Sequence, residues 1–213
     1  MSDVNRRVYR SPLRSQRSRE TRARILDAAR QLFLNHGYTG STAAAIAARA
    51  GVSQSMLFAA FGTKAGVLQA LIGQAVAGDD TAKPLSQRPT WSGIVAEPDV
   101  RAAVGRFAAL SADMQARSWR LIEMARTASD SDPAMAALLA RGATNRRADC
   151  RHFVEQAIAG NRRHDVTLDE AVDVVWLYTS ADIYRLLVGI TGWSHEHYTA
   201  WLADSLATAT LES

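Results

Sequence analysis

The sequence predicts an all-α protein in two parts, a small N-terminal domain of short helices and a larger helical domain behind it. Apolar residues recur at three- and four-residue spacing through almost everything after residue 18, and no long run alternates with period two. Helix caps sit at the breaks between these patterns, at Gly37, Thr63, Asp132-Pro133, Thr167 and Ser194. At 213 residues and 47% hydrophobic, the chain has ample material for a core.

Residues 1–17 carry Arg6, Arg7, Arg10, Arg14 and Arg17 and read as a flexible basic arm. Ile25, Ala28, Ala29, Leu32 and Phe33 then form one stripe, so a first helix is expected over 18–36, closed by Gly37 in the left-handed conformation. Two short helices, 42–49 and 53–60, flank Ala50-Gly51-Val52, and a fourth spans 64–77. Together these make a domain over 18–77. Residues 78–97 hold two prolines, two glycines and no periodicity, so a linker loop is expected there.

The second domain, 98–213, opens at Pro98. Val100, Val104, Phe107, Leu110 and Met114 line one helix face, and Trp119, Ile122 and Ala125 continue a second segment to 128. Asp132-Pro133 starts a long helix with Met135, Leu138, Leu139, Phe153, Val154 and Ala157 inward. Thr167 to Glu170 is a capping box for a helix carrying Val172, Val175, Trp176, Thr179, Ile183, Leu186 and Leu187. Gly189 and Gly192 break it, and Ser194 caps a last helix with Tyr198, Trp201, Leu202 and Leu206 on one side.

Charge is uneven. Residues 1–80 hold 11 Lys/Arg against 5 Asp/Glu, whereas residues 81–213 hold 14 against 16. A basic third on a near-neutral body suits an anionic polymer that touches one end of the molecule, although a solvated basic face fits the same numbers. The single cysteine, Cys150, excludes an intrachain disulfide and a cysteine-based zinc cluster, as suits a reducing cytoplasm. No apolar stretch approaches the roughly 18–20 residues needed to span a bilayer, so no membrane partner is expected.

Residues 41–64 have helix-turn-helix spacing. Ile46 and Ala47 face inward on the first short helix, Gly51 permits the tight turn, and Val52 and Leu57 lock the second helix across the first. Ser53 caps that second helix and aims its free N–H groups outward. Gln54, Ser55 and Met56 are then placed to read base edges, Gln by bidentate bonding to adenine and Met against a thymine methyl. Thr42, Ser53 and Lys64 are placed to contact phosphate, and for Thr42 and Ser53 a capping role is compatible with that.

The same stretch resembles the N-terminal domain of the TetR (tetracycline-repressor-like) family. The matching frame is Leu32-Phe33-x-x-x-Gly37-Tyr38, Ser41-Thr42-x-x-x-Ile46-Ala47, Ala50-Gly51-Val52-Ser53 and Leu57-x-x-x-Phe61-x-x-Lys64. Thr179 to Leu187 and Gly192-Trp193-Ser194 also resemble the end of many such regulators. The resemblance implies a homodimeric repressor of transcription, a two-fold symmetric operator in double-stranded DNA, and release of that operator by a small ligand, with helix 64–77 carrying the movement. Family members usually carry an aromatic hydroxyl at Phe58 and His or Tyr at Ala60, both used on the DNA backbone. Neither Phe58 nor Ala60 can donate that hydrogen bond, so the resemblance puts Phe58 at the DNA without the contact, and the arginine-rich arm becomes the place to recover affinity. A tail that only aids solubility is an equal reading of the arm.

The larger domain shows no catalytic constellation and no cofactor motif, and is expected not to be an enzyme. His195 and His197 lie two residues apart on a helix and diverge, so no metal site is expected, and Cys150 reads as a small buried residue before a redox sensor. Phe107, Met114, Trp119, Phe153, Trp176 and Thr179 are candidates to line a site for a mostly hydrophobic effector, with Asn145 and Gln156 as further polar atoms; plain core packing is the competing reading for each. Ile183, Leu187, Tyr198, Trp201 and Leu202 are candidates for a four-helix dimer interface. Against this ligand-binding and dimerisation domain stands one alternative, an architectural or nonspecific DNA-binding protein without ligand control.

Overall fold

The computed structural model describes residues 12–78 and 85–212, and every element in them is helical apart from one isolated backbone bridge between Arg162 and Leu211. The chain divides into two compact units, Met1–Leu71 and Ile72–Ser213. The expected arm residues Arg6, Arg7 and Arg10, and the linker residues 79–84, lie outside the described residues.

The first unit contains α1 (Pro12–Gly40), α2 (Ala43–Arg49), α3 (Gln54–Phe61) and the start of α4 (Lys64–Ala77). Helix α1 begins six residues earlier than the sequence pattern suggests, so residues 12–17 of the expected arm are helical. Gln16 donates to Glu20 one turn on, at 3.0 Å, which supports that extension. Near its other end Gly37 takes φ 69° and ψ 176°, a glycine conformation outside the left-handed helical well expected of a C-cap, and kinks the helix there. Ile25, Ala28, Ala29 and Phe33 bury their stripe against Ile46, Ala47, Leu57, Val67, Leu68 and Leu71, the core that holds the short helices.

The second unit holds α5 (Pro89–Val95), α6 (Val100–Ala128), α7 (Pro133–Phe153), α8 (Leu168–Tyr178), α9 (Ala181–Tyr184) and α10 (His195–Thr210). Wider helical turns follow α7 at Val154–Ile158 and α9 at Arg185–Ile190. The expected loop 78–97 is corrected by α5: Pro89 sits at its first turn, and Trp91 and Ile94 are buried in the core of the unit. Helix α6 is one continuous helix of 29 residues, capped by Asp99, where the pattern suggested two segments. Conversely, the helix expected to run unbroken from Thr167 to Leu187 is split. The Thr179 hydroxyl turns back onto Val175 O at 2.7 Å, and Ser180 accepts from Ile183 N at 3.3 Å, so two adjacent hydroxyl side chains end one helix and cap the next. The capping box of α8 and the Ser194 cap of α10 form where the sequence places them.

Candidate nucleic-acid interface

Helices α2 and α3 are joined by Ala50 to Ser53 and bend by 106°, within the range of a helix-turn-helix pair. Gly51 makes that bend with φ 64°, a conformation that would strain any side chain with a Cβ. Thr42 caps α2 by accepting from Ala45 N at 3.1 Å, and Ser53 caps α3 by accepting from Met56 N at 3.2 Å. Ile46, Ala47 and Leu57 are buried as the sequence requires, which turns the opposite side of α3 outward.

That outward side carries Gln54, Ser55, Met56 and Phe58, all exposed, together with Ala59. Ser55 Oγ lies 2.9 Å from Ser53 Oγ, so the two hydroxyls are bonded to each other. Met56 and Phe58 keep 46% and 42% of their surface in water on this side of α3. Thr42 and Ser53 are exposed at the helix starts. Lys64 is half-buried: its ammonium donates to Tyr38 O at 2.9 Å and sits 4.0 Å from the centre of the Tyr38 ring. It ties the start of α4 to the end of α1, and the ring it covers packs against Phe33.

Two further clamps have no local sequence signal. The Arg22 guanidinium, from α1, donates to Ala60 O in the last turn of α3 and stacks over the Phe61 ring at 4.2 Å. Arg49 on α2 donates through Nε to Gln31 on α1 at 3.0 Å. Arg22 thus ties α3 to α1, and Arg49 ties α2 to α1. The hydrogen-bond partner of Arg22, Ala60, lies 38 positions away in the chain, beyond any helical period.

In the second unit, Phe107 and Phe153 stack on each other at 3.8 Å, with the Trp91 ring edge-on to both. Both are buried in the core of the unit, where packing accounts for them. Met114, Trp119 and Trp176 are half-buried. Asn145 and Gln156, offered as further polar atoms, are exposed. Thr179 is the centre of a buried polar knot: Gln115 donates to its carbonyl at 2.7 Å, Arg146 to its hydroxyl at 3.1 Å and also to Trp176 O, and Cys150 Sγ lies 3.8 Å away. Burial lowers the Arg146 guanidinium pKa and raises that of the Cys150 thiol, which disfavours the thiolate. The Oε1 atom of Gln115 and the Nε1 atom of Trp176 are buried without a partner.

Helix α10 packs against α6 and α8 inside its own unit. Tyr198 and Leu202 are completely buried there, so they have no surface left for a second copy, and that part of the expected dimer interface is corrected. Trp201 is half-buried among Tyr178, Trp193 and Tyr198, while Ile183 and Leu187 are half-buried on and after α9. The large apolar residues left exposed nearby are Leu177, Leu186 and Ile190. His195 bridges Asp113 and Tyr184 at 3.1 and 3.2 Å, and His197 stacks on Trp193 at 4.0 Å. Among the described residues no single helix is long and apolar enough to cross a membrane.

A bent pair of short helices, packed on a third and showing an uncharged outer face, with a separate helical unit following in the chain, defines a helix-turn-helix protein with a helical companion domain. Residues 25–71 match the family described as bacterial regulatory proteins, tetR family. Over 56 residues the chain is 45% identical to the uncharacterized HTH-type transcriptional regulator YvkB of Bacillus subtilis (strain 168). That match covers 26% of this chain and 30% of the length of the relative. The whole fold is similar to NalD, described as the secondary repressor of the MexAB-OprM multidrug efflux pump in Pseudomonas aeruginosa, with TM-score 0.67 and 16% identity over 92% of this chain and 99% of that one. It is also similar to SmeT in its complex with triclosan, with TM-score 0.68 and 18% identity over 91% and 92% of the two chains. The N-terminal stretch, residues 25–71, thus carries the tetR-family sequence pattern.

Proposed function

We propose that the chain is a transcription regulator, a ligand-responsive homodimeric repressor that grips a palindromic operator in double-stranded DNA with one α3 from each copy. The observation that carries this reading is the solvent-facing side of α3, which its cap, the Gly51 turn and the Arg22 clamp hold rigidly outward. Gln54, Ser55, Met56 and Phe58 face the groove, while Thr42, Ser53 and the arginines of the N-terminal residues serve the phosphates. Lys64 adds positive charge at the start of α4.

Two copies pair through the face formed by Leu177, Ile183, Leu186, Leu187 and Ile190, with Trp201 at its margin. The effector is a small, hydrophobic molecule held in the second unit near Met114, Trp119, Trp176 and Thr179. The reading is supported by NalD, a repressor, and by SmeT, which binds triclosan. A ligand that favours a dimer with misplaced reading helices weakens DNA binding by its differential affinity, and tenfold release needs only about 1.4 kcal/mol. Helix α4, which runs through the division between the units, carries the movement.

Selection of bound fragments from a random duplex pool tests this directly. A recovered palindrome with half-sites about one helical turn apart is the expected result, and a chain that ignores duplexes of every sequence at low salt refutes the reading. The concentration of arginine near the N-terminus also suits a nonspecific duplex-binding protein. Competition with random DNA at fixed salt separates the two, because a regulator prefers its operator by about 10³-fold or more.

A further inference from the structure

We propose that α3 reads thymine: Met56 and Phe58 pack on the C5 methyl groups of thymines in the major groove, so methyl contacts, and not charged side chains, select the half-site. This rests on the regulator reading above. Taking about 100° of turn per helical residue, Leu57 points inward, Ser55 and Ala59 lie at the middle of the outward face, and Met56 occupies one flank with Gln54 and Phe58 on the other. Small residues in the middle let the helix backbone come close to the groove floor. The flanks then reach the base edges on either side.

The chemistry of those flanks is restrictive. Helix α3 has the sequence QSMLFAAF and carries no Arg or Lys, the usual partners of guanine, and no Asp or Glu to accept from cytosine. Ser55 is bonded to Ser53, and Ser53 is occupied in capping Met56 N. Gln54 remains as the one long polar side chain, and its amide matches the N6 and N7 atoms of adenine. Met56 and Phe58 offer exposed apolar surface on those flanks, and the one apolar group a major groove displays is the thymine methyl. Both halves of the face therefore converge on A·T pairs, Gln54 on the adenine and the flanking apolar residues on the thymine.

The test uses the full chain and the operator recovered from the random pool. The same duplex is made with every thymine replaced by uracil, which removes the methyl groups and leaves every hydrogen-bonding group in place. Affinity is expected to fall about fourfold for each contacted methyl, the factor that about 0.8 kcal/mol per buried carbon corresponds to. In Met56→Ala and Phe58→Ala, both at exposed positions, the ratio between thymine and uracil operators is expected to move toward one. Equal affinity for the two operators overturns the proposal, as does a ratio that neither substitution changes. Failure to recover any operator overturns the regulator reading itself, and this proposal with it.

Discussion

Replacing Arg22 by alanine is expected to loosen α3 from its far end. The guanidinium makes a charged hydrogen bond to Ala60 O and covers the Phe61 ring at 4.2 Å. A hydrogen bond from a charged donor contributes about 1.5–3 kcal/mol when shielded, and a cation over an aromatic face about 0.5–1 kcal/mol at an exposed site. Arg22 is exposed, so solvent screening brings the sum down to about 1–2 kcal/mol. Native-state hydrogen exchange reads this locally, and a loss of about 1.4 kcal/mol appears as tenfold faster exchange of the α3 amides. Arg22→Lys keeps the charge but not the planar fork, and is expected to recover only part of the protection. Unchanged α3 exchange in Arg22→Ala would refute the clamp, and full recovery in Arg22→Lys would show that charge alone, without stacking, accounts for it.

Other expected outcomes are as direct. Gly51→Ala must place a Cβ in the left-handed region and is expected to cost about 1–2 kcal/mol in thermal or urea unfolding of the N-terminal unit. Leu57→Ala removes the buried anchor of α3, with an expected loss of about 2–5 kcal/mol by the same measurement. Cys150, buried and with its thiol pKa raised, is expected to resist a thiol reagent in the native chain and to react in urea; rapid native labelling would contradict its placement. Hydrogen bonds from the Thr167 N–H and hydroxyl hold Glu170 below the usual carboxyl range, and Arg163 holds Asp165 down to about 2. Both values are depressed by folding, so their stabilisation is present at neutral pH and is withdrawn as pH falls through the folded values. Urea midpoints are therefore expected to be level above about pH 5 and to drop toward about pH 2, with a smaller drop in Glu170→Gln.

What the sequence revealed was the chemistry that acts over one helical turn. Ser53, Thr167 and Ser194 cap helices because a hydroxyl and an N–H three residues apart meet whatever surrounds them, and Gly37 and Gly51 turn the chain because no other residue does so cheaply. The stripe from Ile25 to Phe33 and the burial of Ile46, Ala47 and Leu57 follow from period alone. The misses depend on partners distant in sequence. Two prolines and two glycines masked α5, whose only helical evidence is Trp91 and Ile94, and these matter because a core lies under them. An apolar face on α10 declares that Tyr198 and Leu202 are buried, but not whether their own unit or a second copy covers them. Lys64 looks cationic and free in a linear sequence, until the fold brings Tyr38 beneath it.

The uncharged face of α3 separates two properties that most basic proteins merge. Grip generated by arginines elsewhere weakens as ionic strength rises, because it depends on displacing counterions from phosphate. Discrimination by Gln54, Met56 and Phe58, on the reading proposed above, would have no ionisable group to screen or titrate. The protein would therefore let go of DNA in concentrated salt while keeping the same ranking of sequences to the last measurable complex.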